Sequence, residues 1–150
     1  MNRSLALGLF ILLTLGGGLL IGALTLPDAW FIQLRKPPFQ PPGWVFGPVW
    51  SVLYMLIGIA GWRLWRLPGA GLAQKLWWLQ LGLNFLWPPV FFGAHRLGLS
   101  VVVILCLLAA VLACTVAAWR RDKVAGLMLL PYLGWVSFAS ALNGVILALN

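Results

Sequence analysis

Acid–base chemistry has almost nothing to work with in this chain. Its 150 residues include one histidine, His95, two aspartates, Asp28 and Asp122, and no glutamate. The two aspartates border different apolar runs, so they cannot form the carboxylate pair of a hydrolase. His95 stands beside Arg96 at the end of an apolar run, where an interfacial, snorkelling side chain is the expected role. There is no Walker loop and no dinucleotide fingerprint. Cys106 and Cys114 share one apolar run on roughly one helix face, with no other metal-ligating side chain near them. They read as small apolar residues of a packed helix, and no metal site is expected.

What the chain has in abundance is indole, with ten tryptophans. Trp62, Trp65, Trp77, Trp78 and Trp119 fall near the ends of apolar runs and fit an interfacial belt. Trp87 and Trp135 lie well inside theirs, where a belt role is closed to them. Asn84, Trp87 and Phe91 recur at helical spacing, as do Trp135, Ala139 and Asn143, and Trp50 and Tyr54. An asparagine in hydrocarbon needs a partner, so Asn84 and Asn143 should face other helices and turn these aromatics inward with them. Two outcomes remain open on spacing alone. One is a packed core with interhelical hydrogen bonds, and the other is an aromatic-walled pocket with a few polar groups.

The elements that hold these residues follow from the charge spacing. The chain is 63% hydrophobic and 8% charged, with a mean hydropathy of +1.01. A soluble domain carries about 25% charged residues, so this surface must face lipid. Apolar spans over approximately 4–26, 44–65, 74–94, 97–119 and 124–149, broken only near their ends by Arg63 and Lys75, each approach the roughly 20 residues that cross a bilayer as helix. The expectation is a single all-α membrane domain over 1–150, a five-transmembrane-helix bundle. The first run exceeds the about 7–15 residues of a signal-peptide core, so it reads as a span and not as a cleaved leader. Pro88, Pro89 and Pro131 interrupt two of the runs and should open room between helices.

Lys and Arg set the orientation. Arg3, Arg63, Arg66, Lys75, Arg120, Arg121 and Lys123 fall on one side, against Arg35, Lys36 and Arg96 on the other. That bias puts the N-terminus in the cytoplasm and the C-terminus outside. The net charge of +8 is scattered over both sides, which suits anionic headgroups and argues against nucleic acid. The outer first loop, "RKPPFQPPGWVFGPVW", is stiffened by proline and ends on Trp50. It reads as a preorganised lid leading into a pocket wall, with Arg35 and Lys36 at its rim.

Three segments carry a resemblance: "WFIQLRKPPFQPPGWVFGPVW" (30–50), "QLGLNFLWPPVFFG" (80–93) and "LLPYLGWVSFASALN" (129–143). In order and spacing they resemble the signature motifs of the TspO/MBR family of translocator and tryptophan-rich sensory proteins, bacterial type. The resemblance implies a five-helix bundle, usually dimeric, that binds tetrapyrroles, sterols and synthetic isoquinoline carboxamides. Through it, Trp50 and Trp135 correspond to tryptophans tied to light-dependent porphyrin breakdown. Tyr54, Asn84, Trp87, Phe91, Ala139 and Asn143 correspond to pocket-lining positions, and Trp30 to the loop over the pocket mouth. The segment after Asn143, "GVILALN", lacks the Tyr and basic residue of the animal sterol motif, so high-affinity sterol recognition by that route is not expected.

The leading functional expectation is a receptor or carrier for porphyrin-type ligands that needs no cofactor. A light-dependent porphyrin-degrading enzyme acting through Trp50 and Trp135 is the alternative. A dimeric scaffold is a third, using Gly18 and Gly22 or the ridge of Ala109, Ala113 and Ala117.

Overall fold

The computed structural model describes residues 2–150, and its regular structure is entirely helical. Helix α1 runs Arg3–Leu24 and passes through a π turn at Leu12–Gly16. A short α2, Ala29–Gln33, lies in the first loop. Helix α3, Gly43–Trp65, opens with a 3-10 turn. Helix α4, Gly71–Pro88, continues as a π turn over Pro89–Gly93. Helices α5, Leu97–Arg121, and α6, Lys123–Leu149, complete the fold.

Six helices are thus present among the described residues where five runs were expected, because the first loop coils into α2. Asp28 starts that turn by accepting a hydrogen bond from the Phe31 N–H at 3.3 Å, a side-chain N-cap. Four helices, α1, α3, α5 and α6, are long and apolar enough to cross a membrane. Helix α4, 18 residues before its π turn, is long enough but falls short in hydropathy, since it carries Gln74, Lys75, Gln80 and Asn84. Two of those side chains, Gln80 and Asn84, are buried. They dilute the apolar signal while facing protein.

The five long helices close into a ring. Helix α1 packs on α3, α3 on α6, α6 on α5, α5 on α4, and α4 meets α1 and α3 again. Close approach is secured where a side chain would intrude. A Cβ on Gly18 would fall inside the Tyr54 ring, and one on Gly61 would overlap the Trp77 indole. Gly18 of the G-x-x-x-G therefore serves a contact within the chain. Ala109 and Ala113 do lie exposed along α5.

Side chains also bond across helices to main-chain carbonyls of α3. The Thr14 hydroxyl donates to Tyr54 C=O at 2.8 Å, Trp77 Nε1 to Ile57 C=O at 2.9 Å and Gln74 Nε2 to Leu64 C=O at 2.8 Å. The last of these adds a second donor to a carbonyl in the final turn of α3, which also accepts from the Leu67 N–H at 3.1 Å. Trp77 is only 1% exposed, which corrects its expected place in the interfacial belt.

The two termini lie at opposite ends of the bundle. At one end Trp62 Nε1 donates to Arg3 C=O at 2.9 Å, and Arg63 pairs with Asp122 at 2.7 Å. The Arg63 guanidinium is the chief cause holding the Asp122 carboxyl below the usual carboxylate range. Asp122 also caps α6 through the Val124 N–H at 3.0 Å. At the other end, Asn150 and Arg35 exchange two hydrogen bonds, at 3.0 and 2.9 Å, between the chain's last residue and the first loop.

Candidate functional site

Helices α3, α4 and α6 bring their aromatic faces together beneath the first loop. Trp50 and Trp135 face each other from α3 and α6, ring centroids 6.5 Å apart and nearly perpendicular at 88°. Trp50 stacks on Tyr54 at 5.3 Å. The first turn of α3 adds Phe46, 5.8 Å from Trp135, and the lid adds Phe39, 6.2 Å from Phe138. Ala139 packs at the edge of this cluster. Edge-to-face geometry of this kind suits aromatic quadrupoles.

A second aromatic group adjoins it. Trp87 stacks on Phe91 at 4.9 Å, and Trp30 of α2 stands edge-on to Phe91 at 5.7 Å. Trp87 touches both groups, and Phe46 and Phe138 join them from α3 and α6. The nine candidate pocket residues singled out in the sequence, eight aromatic or polar together with Ala139, therefore lie in one contiguous region. The Trp50 and Trp135 pair sits on one side of it, and the Trp30, Trp87 and Phe91 set on the other.

Polar groups in this region form two chains of hydrogen bonds. Tyr54 OH donates to Asn84 Oδ1, Asn84 Nδ2 to Tyr132 OH, and Tyr132 OH to Gln80 Oε1, each at 2.7 Å. Gln80 Nε2 ends the chain on Trp77 C=O at 2.8 Å. The second chain runs from Trp87 Nε1 to Asn143 Oδ1 at 2.9 Å, then from Asn143 Nδ2 to Ser100 Oγ at 3.2 Å. Asn84 and Asn143, 3% and 2% exposed, do turn into the bundle and do find partners, as intramembrane asparagines must. Tyr132, Gln80 and Ser100 were missed in the sequence. For Gln80 and Tyr132 the signal was present, because each lies within a quoted motif and one or two helical turns from an inward-facing residue.

Against these satisfied groups, two buried side-chain polar atoms among the described residues have no partner: Trp135 Nε1 and Gln40 Oε1. One is a donor on the α6 wall. The other is an acceptor on the lid, carried between Phe39 and Phe46, which pack on α6. Orphaned buried groups of this kind cost free energy unless something fills them.

The rim differs from expectation. Lys36 does not reach outward: its Nζ donates to Ile32 and Leu34 carbonyls at 3.3 and 3.2 Å and sits 4.5 Å over the Phe31 ring. The Arg35 backbone is tied to Asn150, and its residue is exposed. His95 is no free snorkelling side chain either. Its Nε2 lies 3.0 Å from Asp28 Oδ2, and its ring stacks on Trp30 at 4.2 Å. Cys114 is buried and Cys106 exposed, so the two thiols do not share one packed face. No cluster that could hold a metal ion occurs among the described residues.

A family profile described as the TspO/MBR family matches residues 10–149. The chain belongs to the TspO/MBR family. It is 39% identical over 150 residues to the "Tryptophan-rich sensory protein" of Cereibacter sphaeroides, covering 100% of this chain and 95% of that one. It is 44% identical over 125 residues to the "Tryptophan-rich protein TspO" of Archaeoglobus fulgidus, covering 82% and 81% of the two chains. With the human "Translocator protein" it shares 40% identity over 120 residues, 76% of this chain and 70% of that one. Relatives from a bacterium, an archaeon and an animal thus all align with a TspO/MBR membrane protein of this length.

Proposed function

We propose that this TspO/MBR protein is a membrane receptor or carrier for porphyrin-type tetrapyrroles, with a sensory or transport role, held in the aromatic region beneath the lid. The observation that carries the reading is the unpaired Trp135 Nε1–H, buried among Trp50, Phe46 and Phe138. A flat, apolar ring system with peripheral acceptors answers both features. Its faces match aromatic walls, and a ring substituent gives the indole N–H a partner. Trp30, Tyr54, Asn84, Trp87, Phe91, Ala139 and Asn143 complete the lining in this reading. Opening that space for a tetrapyrrole requires the lid to move, since its Phe39 now packs on Phe138 of α6. Sterols and isoquinoline carboxamides are the further ligand classes the reading admits.

The same reading takes all five long helices across the bilayer, with Gln80 and Asn84 of α4 shielded inside. Termini at opposite ends of the bundle support an odd number of crossings. The Lys and Arg bias supports an N-terminus in the cytoplasm of a bacterial cell. Exposed Ala109 and Ala113 offer α5 as a face for a homodimer.

Titration of the porphyrin absorption band with purified protein tests the ligand. Saturable binding in the micromolar range, about −8 kcal/mol, is expected. Retention of that affinity in the Trp50→Phe/Trp135→Phe variant overturns the site.

A second reading, light-dependent porphyrin breakdown, is favoured by the 6.5 Å approach of the Trp50 and Trp135 rings. Illumination with protoporphyrin and dioxygen decides between them. A product formed by the native protein, and by neither single Trp variant nor free tryptophan in detergent, establishes the enzyme.

A further inference from the structure

We infer that the end of the bundle carrying the N-terminus holds a separate lipid site. One acyl chain of an anionic phospholipid lies along α1 there, with its phosphate at Arg3 and Arg66.

A groove of about 250 Å³ runs there, lined by Ala6, Leu9, Phe10, Leu13, Trp65 and Trp78. The four α1 residues follow helical spacing and form a single stripe. Phe10 stands between the two indoles, 6.2 Å from Trp65 and 6.4 Å from Trp78, so the rings form walls above an aromatic floor. Leu9, Leu13, Trp65 and Trp78 keep 39–54% of their surface exposed. The groove is therefore open along its length, with apolar side chains on both sides.

One corner of the groove is cationic, and Trp62 organises it. Its Nε1 donates to Arg3 C=O at 2.9 Å, and the Arg66 guanidinium lies 4.4 Å over its ring. Arg3 is one turn before Ala6, and Arg66 follows Trp65, so both cations sit beside the stripe. Neither takes part in the ion pairs found among the described residues, which use Arg63 and His95. A guanidinium stacked by its face leaves its in-plane N–H groups free for a phosphate.

The occupant follows from size, shape and charge. The groove is smaller than the about 300–1,000 Å³ of pockets that enclose drug-sized ligands, so a tetrapyrrole is excluded and a single chain fits. Ala6 is the small residue of the groove's lining and keeps the α1 wall low there. A second copy of the protein is disfavoured here. A two-fold contact between parallel copies sets the same patch against itself and brings Arg3 and Arg66 against Arg3 and Arg66. An anionic headgroup neutralises that corner.

Native mass spectrometry of the protein released from nanodiscs containing equal phosphatidylglycerol and phosphatidylcholine tests the inference. The expected result is one retained lipid per chain, enriched several-fold in phosphatidylglycerol. Each of Arg3→Gln and Arg66→Gln should lower that enrichment about fivefold. Leu9→Trp, which fills the groove and leaves both cations, should remove the retained lipid altogether. Porphyrin affinity, titrated in parallel, should be unchanged in all three variants and so reports that they are folded. Equal retention of the two lipids by the native protein overturns the proposal, as does full retention in Leu9→Trp.

Discussion

Trp135 meets Trp50 edge-on at 6.5 Å, and its Nε1–H is buried without an acceptor. Among the described residues, the other buried side-chain polar atom without a partner is Gln40 Oε1 on the lid. Trp135→Phe separates packing from hydrogen bonding, because it keeps an aromatic ring and removes the orphaned donor. The unliganded protein should lose little or no stability, since relief of an unmet N–H offsets part of the lost ring area. Porphyrin affinity should fall about 5–10-fold, the worth of one neutral hydrogen bond. Thermal unfolding with and without porphyrin reads both effects on one sample. A variant that is destabilised yet binds normally assigns Trp135 to packing alone.

The chain from Tyr54 through Asn84 and Tyr132 to Gln80 links α3, α4 and α6 with every member satisfied. Its links are unequal. Tyr54→Phe removes one donor and leaves Asn84 Oδ1 open. Tyr132→Phe removes an acceptor and a donor together, and strands both Asn84 Nδ2 and Gln80 Oε1. Interhelical hydrogen bonds in membrane proteins are individually modest, so Tyr54→Phe should cost about 1 kcal/mol and Tyr132→Phe about 2 kcal/mol. The double variant should cost less than the sum, because the two share Asn84. Reversible unfolding in a denaturing detergent series measures all three. Strict additivity would show that the chain does not act as a unit.

That network marks where the sequence was legible and where it was not. Asn84 and Asn143 announced their inward orientation, since an amide in hydrocarbon has no other stable place. Trp50 and Trp135 shared faces with such residues or their neighbours, and their approach followed. The folding of Ala29–Gln33 into a helix was hidden, because five residues give no readable period and the proline-rich surroundings read as extended chain. Trp77 was misplaced for a different reason. Position near a span end suggests a belt, but the absence of a side chain at Gly61 lets the indole slide inward to the Ile57 carbonyl. Only the paired helix reveals that space. Lys36 and His95 were likewise read from their own positions alone, whereas their partners lie in and beside α2 of the first loop.

Acid should weaken the N-terminal end of the bundle through Arg63 and Asp122. The Asp122 carboxyl is held low, first by the hydrogen bond from Arg63, with that cation's charge and the Val124 and Ala125 N–H groups assisting against burial. A carboxyl with a depressed folded pKa lends stability that is present above its unfolded value of 3.8 and is lost as pH falls through the folded one. Asp122→Asn keeps an N-cap for α6 and deletes the charge. At neutral pH it should cost about 1 kcal/mol, a discounted figure because Arg63 is 31% exposed. The gap between native protein and variant should then close below about pH 4. Unfolding midpoints at several pH values test the sign, and a gap that widens in acid contradicts it.

His95 joins the lid to the bundle by two independent means. Its ring binds Asp28 and stacks on Trp30, while its backbone sits at φ +56°, in the left-handed region that ordinary residues avoid. Three substitutions pull these apart. His95→Ala loses the ring and keeps the strain, His95→Gly loses the ring and relieves the strain, and His95→Asn tolerates the backbone and retains a short polar group. If the ring holds the lid, amide exchange over residues 29–36 should rise about equally in the Ala and Gly variants and less in Asn. If the backbone turn holds it, only His95→Ala should loosen. The first pattern is expected, because Asp28 also caps α2 and loses its orientation once His95 is gone. Faster lid opening should raise the porphyrin association rate in the same variants, which stopped-flow mixing measures directly.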